Sequence, residues 1–280
     1  MKTIGKHMSF RLMTVVFGFI ACAGYGQTYG EASTVSGQIF SWPDGIKMAL
    51  SLTFDDARLS QIDTGIPLLD KYGVKATFYV SPGSLMKRAD KWRIAAGNGH
   101  EIGNHTLLHP CSGNFLWSRE RALEDYTLNR MKNELDSAGT LILAVTGTAP
   151  VSFAYPCGQT FIGRGLDVQS YVPLIALMFG SGRGWLNEAP NDPSYCDLAQ
   201  LNGTELDGKT FDEVVKMIET ARAGGHWLIL AGHEMNVEGR QTSHLDTIEA
   251  ICKYAADPAN GIWIDNIRTI ASYIRHMRKE

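Results

Sequence analysis

The hydrophobic pattern of this chain changes period repeatedly after residue 46. Short unbroken apolar runs alternate with segments whose apolar residues recur every three or four positions, the mark of successive βα units. "MALSLTF" (48–54) reads as a buried strand. "TGIPLLDKYG" (64–73) predicts a helix, with Thr64 as its cap, Pro67 in the first turn and Gly73 as the stop. "KATFYV" (75–80) predicts a strand, residues 89–96 a helix, and "HEIGN" another short strand. Leu128, Met131 and Leu135 give helical spacing within 119–137. "APVSFAYP" (149–156) predicts a strand ending at proline, and "VPLIALMFG" (172–180) a further strand, with helix as the alternative. Thr210 opens a helix carrying Phe211, Val214, Val215 and Ile218 on one face, and Gly224 and Gly225 end it. "HWLILAGH" (226–233) is a buried strand; a helix near 243–256, a short "GIWI" strand (261–264) and a last helix with Ile267, Ile270, Ile274 and Met277 on one face follow. About seven such units imply a barrel-like α/β domain, with an open parallel α/β sheet as the alternative.

The N-terminal segment follows a different rule. Lys2, Lys6 and Arg11 precede an apolar run from Leu12 to Ala23, which is shorter than the roughly 20 residues a bilayer span requires. A basic start, a short apolar stretch and Ala21-Cys22-Ala23 fit a secretory signal over residues 1–26, with lipid attachment at Cys22 as a variant. The expectation is therefore an exported protein, periplasmic, secreted or held at the outer membrane as a lipoprotein. Its catalytic domain would run over 46–280. Export implies an oxidising compartment, where Cys111, Cys157, Cys196 and Cys252 can pair in three ways. The 280 residues are 44% hydrophobic, enough for a sizeable core, and at a formal charge of −3 no basic surplus argues for nucleic acid.

The polar residues collect where the apolar strands end. Asp55 and Asp56 close "SLTFDD"; His105 and His109 lie in "NHTLLHP"; "FAYPCG" ends a strand, and His233 ends "WLILAGH". Parallel α/β folds bring such carboxyl ends to one face. Two adjacent carboxylates repel, so a cation gives a reason for holding both. His105 and His109, at i and i+4, can chelate one ion if the segment forms a helical turn, braced by the Thr106 hydroxyl. Two imidazoles and the Asp56 carboxylate, with positions left for water, form a hydrolytic metal site. The spare carboxylate, Asp55, is then a general base, and His233 a proton donor to the leaving group.

These residues, in this order, resemble the polysaccharide deacetylases, the NodB-like domains of carbohydrate esterase family four. "TFDD" resembles the first motif of that family, "HTLLH" the second, "FAYPCG" the third and "WLILAGH" the fifth. The resemblance implies a distorted (β/α)7 barrel and one divalent metal ion, Zn2+ with Co2+ or Ni2+ as alternatives, held by Asp56, His105 and His109. It implies hydrolysis of an acetyl group on a glycan or oligosaccharide, N-acetyl or O-acetyl, by metal-activated water. Asp55 would be the base, His233 the acid, and the Cys157 backbone N–H, beside Tyr155, an oxyanion donor. Three departures stand out: Ala57 replaces a usual glycine, Ala154 replaces an arginine that pairs with the base, and the fourth motif, aspartate followed by tryptophan, has no clear counterpart. Arg183 and Trp185 in "GSGRGW" are candidate substitutes, with Arg164 a second candidate arginine and Tyr195 a further ring available for stacking. Two other functions are open: hydrolysis of a small non-sugar amide or ring C–N bond with the same metal site, or carbohydrate binding without catalysis.

Overall fold

Strand β1 (Met48–Asp55) explains most of the architecture. All of its residues are buried, but they alternate in kind. Met48, Leu50, Leu52 and Phe54 pack outward among helix side chains, while Ala49, Ser51, Thr53 and Asp55 take the other face. Small and polar side chains on that face leave room for a curled sheet to close around them, and their polar atoms are bonded. The Thr53 hydroxyl donates to the Leu230 carbonyl, the Ser51 hydroxyl to that of Asp265, and the Trp227 indole N–H to Ser51.

The computed structural model describes Met1 and residues 40–279, so the signal segment and Cys22 lie outside the described residues. The remaining barrel strands are β2 (Thr77–Val80), β3 (Glu101–Asn104), β4 (Ser152–Ala154), β5 (Ser181–Arg183), β6 (Thr204–Glu205), β7 (Trp227–Gly232) and β8 (Ile262–Ile264). Every pairing among them is parallel, in the order β5-β4-β3-β2-β1-β7-β6, with β8 added beside β1. The curl nearly closes. Leu201, just ahead of β6, donates to the Gly182 carbonyl and accepts from Gly184, bridging back to β5. Seven strands in one curled parallel sheet make a distorted (β/α)7 barrel rather than a flat open sheet.

The helices that cover the barrel are α1 (Ile66–Lys71), α2 (Ala89–Gly97), α3 (Leu128–Thr146), α4 (Val172–Met178), α5 (Phe211–Gly224), α6 (Leu245–Ala256) and α7 (Ile267–Arg278). Helix α5 starts as expected: Thr210 and Glu213 form a reciprocal capping box. Three expectations change. Thr64 does not cap α1; it lies in a wide turn, Gln61–Gly65, and its hydroxyl donates to the carbonyls of Ser60 and Met235. Helix α3 begins at Leu128, capped by the Thr127 side chain, and continues to Thr146. The run 172–180 is helix α4, not a strand: Pro173 sits in its first turn, only Val172 and Ile175 are buried, and Leu177 is exposed. The strand of that region is the three-residue β5 after it, too short and too polar to show a period.

Inside the barrel the fit is close at Gly103 on β3. A Cβ there would lie 2.5 Å from the Tyr79 ring and 2.8 Å from the Ser152 hydroxyl. Tyr79 in turn lies under the Arg183 guanidinium, 5.0 Å from it. Gly103→Ala is therefore expected to lower unfolding stability by about 1–3 kcal/mol, read by denaturant titration; an unchanged midpoint would contradict this packing.

Candidate active site

Asp55 is the last residue of β1 and points inward, where it is almost fully buried. The chain then turns sharply, with φ of 77° at Asp56 and 53° at Ala57, so the two carboxylates diverge. Gln61 fixes this corner: its side-chain N–H group donates to the backbone carbonyls of Asp55 and His233, at 2.6 and 2.7 Å. Ala57 occupies a left-handed position, which accounts for the usual glycine there.

The buried Asp55 carboxylate pairs with the Arg183 guanidinium on β5, which is itself fully buried. Arg183 is the register partner of Ala154 on the neighbouring strand β4. The arginine absent at Ala154 is thus supplied one strand over. Arg164 is not involved: it is exposed and pairs with Asp125 at 2.9 Å. Burial alone would raise the Asp55 pKa, but Arg183 first, then His105 and His233, outweigh it and hold the group below the usual carboxylate range.

Asp56 faces the two imidazoles. Its Oδ1 lies 3.7 Å from His105 Nε2 and 3.5 Å from His109 Nε2. Its Oδ2 accepts from Arg58, whose Nε and Nη2 lie 3.2 and 2.9 Å away. His105 Nδ1 lies 2.8 Å from the Ala154 carbonyl. A carbonyl can only accept, so in the neutral ring Nδ1 carries the proton and Nε2 presents its lone pair toward Asp56. The HTLLH segment is not a helical turn. Thr106 and His109 have φ of 63° and 52°; the Asn104 side chain accepts from the Thr106 N–H, and the Thr106 hydroxyl from that of His109. Pro110 disfavours right-handed helix at the residue before it. The loop nevertheless brings both rings together, with centroids 4.7 Å apart. Burial, reinforced by the charge of His105, lowers the His109 pKa to about 4, which keeps that ring neutral at pH 7. Burial would likewise raise the Asp56 pKa, but His105 and His109 bring it down. The ligand atoms of Asp56, His105 and His109 lie within 4.8 Å of one another. One carboxylate oxygen and two imidazole nitrogens in that compass fit a divalent metal ion.

Cys111 and Cys157 form a disulfide, while Cys196 and Cys252 are free. The bond ties the loop after β3 to the turn after β4. With the cysteines 46 positions apart in the chain, chain entropy alone makes it worth about 4 kcal/mol. His109 also lies near these two sulfurs, but a disulfide offers no thiolate to a metal. Cys157 has φ of 54° and lines the cavity. Tyr155 does not: its ring packs against Phe153 and Tyr171 and its hydroxyl donates to the Ala199 carbonyl at 2.7 Å. Alternation along the strand turns it away from the mouth. Tyr195 is exposed and lies outside the cavity.

His233 follows β7 across the cavity, its ring edge-on to Trp185 with centroids 4.9 Å apart. Its Nδ1 lies 2.7 Å from Asp207 Oδ2, and its backbone N–H donates to Asp207 Oδ1 at 3.1 Å. The Ser243 hydroxyl donates to the same oxygen. Burial would lower the His233 pKa, but the hydrogen bond to Asp207, then Asp55, raise it overall. Asp207 gave no sequence signal, because β6 before it has only two residues and Gly208, not tryptophan, follows it.

These side chains line one cavity of ≈ 960 Å³ at the carboxyl ends of the strands. Its walls include Asp55, Asp56, His105, His109, Cys157, Trp185 and His233, with Phe115 and Trp117 farther out on the loop after β3.

A gellan lyase from Bacillus sp is 32% identical over 133 residues, which is 48% of this chain and 5% of that protein. The peptidoglycan-N-acetylglucosamine deacetylase PgdA of Listeria monocytogenes is 34% identical over 62 residues, 22% of this chain and 13% of its own. The chain thus spans only a small part of either relative. Among solved structures, a putative polysaccharide deacetylase from Mycobacterium smegmatis superposes with a TM-score of 0.61 at 17% identity, over 85% of this chain and 94% of that one. At that identity the likeness shows the fold. Residues 44–164, the segment that carries Asp55, Asp56, His105 and His109, match the family model described as polysaccharide deacetylase, so this part of the chain resembles that family.

Proposed function

We propose that this protein is an exported, metal-dependent hydrolase that removes acetyl groups from a carbohydrate. The observation that carries the reading is the convergence of Asp56 Oδ1 with the Nε2 atoms of His105 and His109, beside a separate buried carboxylate, Asp55. Asp56, His105 and His109 would hold the ion. When bound, it would acidify water in its open positions and polarise the acetyl carbonyl.

The remaining roles belong to the chain. Asp55, kept ionised and oriented by Arg183, accepts a proton from the attacking water. The Cys157 N–H donates to the carbonyl oxygen as it gains negative charge. His233, protonated and held by Asp207, gives its proton to the departing amine or alcohol as the C–N or C–O bond breaks. Acetate and the free sugar amine or hydroxyl leave. The size of the cavity and its aromatic rim, Phe115, Trp117 and Trp185, favour a glycan over a small amide. The full set of polar groups favours catalysis over binding alone.

The purified chain is expected to hold close to one equivalent of divalent metal, to lose it to a chelator and to lose it in His105→Ala, measured by metal analysis. Asp55→Asn should keep the ion and lose at least ~100-fold in acetate release from acetylated glycans; an unchanged rate would place the base elsewhere. Protonated His233 is the active form, so activity should fall as pH rises through its elevated pKa. Asp207→Asn removes the partner that raises it and should move that alkaline limb to lower pH, and an unmoved limb would contradict the role. The same sign holds for stability. The contribution of the His233–Asp207 pair is complete below the unfolded histidine value and lost as pH rises through the folded one.

A further inference from the structure

The cationic side chains around the cavity are not used by the chemistry above. Lys87, Arg121 and Arg240 all line it, and among the described residues none has an acidic partner. They come from three sectors of the rim: Lys87 from the turn after β2, Arg121 from the loop after β3, and Arg240 from the loop between Glu234–Asn236 and Thr242–His244. The acidic residues of the same cavity are already committed. Asp55 pairs with Arg183, Asp56 faces Arg58 and the imidazoles, and Glu234 accepts from Ser60 and lies 3.8 Å from Arg58. On a chain of net charge −3, three unpaired cations converging on one cleft give it a local positive field.

Two further observations give that field a ligand. Arg121 Nε is buried with no hydrogen-bond partner, and its guanidinium lies 5.7 Å from the Trp117 ring. An orphaned charged donor beside an aromatic face calls for an acceptor brought by something else. Trp117 and Phe115 stack with centroids 5.5 Å apart, yet stay 51% and 44% exposed. Exposed stacked rings next to cations suit a flat sugar ring that bears a negative group.

We propose that the mouth of this cavity is a subsite for anionic sugar units, with carboxylate-bearing uronic acids as the ligand class. Lys87, Arg121 and Arg240 bind the charged groups, and Phe115 and Trp117 the ring. The proposal rests on the reading of the substrate as a glycan, but not on the removal of acetyl groups.

The test is calorimetric binding of tetragalacturonate to the full chain, against its carboxyl-reduced neutral tetramer, galactotetraose. The charged tetramer should bind at least about tenfold tighter, and its advantage should shrink as salt rises. Lys87→Gln with Arg240→Gln should remove at least about fivefold of that affinity, Arg121→Gln should do likewise, and Arg240→Lys should retain it. A sulfated galactan tetramer tests the ligand class: weaker or equal binding supports the assignment to uronic acids, and tighter binding would overturn it. Equal binding of charged and neutral tetramers, binding of neither at millimolar concentration, or variants that bind as well as the wild type would overturn it. The enzymatic reading is separable: charge-selective binding without acetate release from any glycan would sink the deacetylase and leave the subsite standing. Acetate release indifferent to substrate charge and to these variants would do the reverse.

Discussion

Two carboxylates at the end of one strand are the constraint around which this molecule is arranged. Asp55 and Asp56 repel each other, and burial penalises both charges. The fold answers from two directions. Arg183 approaches Asp55 from within the barrel, and two imidazoles with Arg58 surround Asp56 from the mouth. The sharp turn at Asp56 and Ala57 separates the groups so that each meets its own counter-charge. Without it both carboxylates would compete for one environment.

The supports of the site are local bonds between side chains and backbone. Gln61 ties the end of β1 to His233, Asn104 and Thr106 shape the loop that carries the histidines, and the Ala154 carbonyl fixes the tautomer of His105. The Cys111–Cys157 disulfide links the histidine loop to the turn that carries Cys157. These connections hold the reactive groups on strand ends and short braced loops, where position is most accurately kept.

Much of this was legible before any coordinates. The strands β1 and β7 are continuous apolar runs, and such runs in parallel sheets are buried on both faces. Their polar ends therefore marked one face of the fold, and the residues there are the ones the structure gathers. The arginine partner of Asp55 was half legible: "GSGRGW" and Arg164 were both open, and only the register of Arg183 against Ala154 decides between them. Other features carried no pattern. β5 and β6 are three and two residues long, too short for a period, and so the 172–180 run looked like the missing strand. Asp207 was invisible for the same reason. The histidine pair was found from its spacing, although the geometry behind it is an irregular loop and not a helix. The rim cations were legible only as surface charge, because their convergence is a property of the closed barrel.

The central claim is that one divalent ion sits among Asp56, His105 and His109 with Asp55 free beside it. The most direct measurement is a crystal structure of the zinc-loaded protein with anomalous data at the metal edge. The account predicts a single strong peak about 2.0–2.2 Å from an Asp56 oxygen and from Nε2 of both histidines, with Asp55 still turned to Arg183. An ion bound elsewhere, or these three side chains apart in the presence of excess zinc, would contradict it.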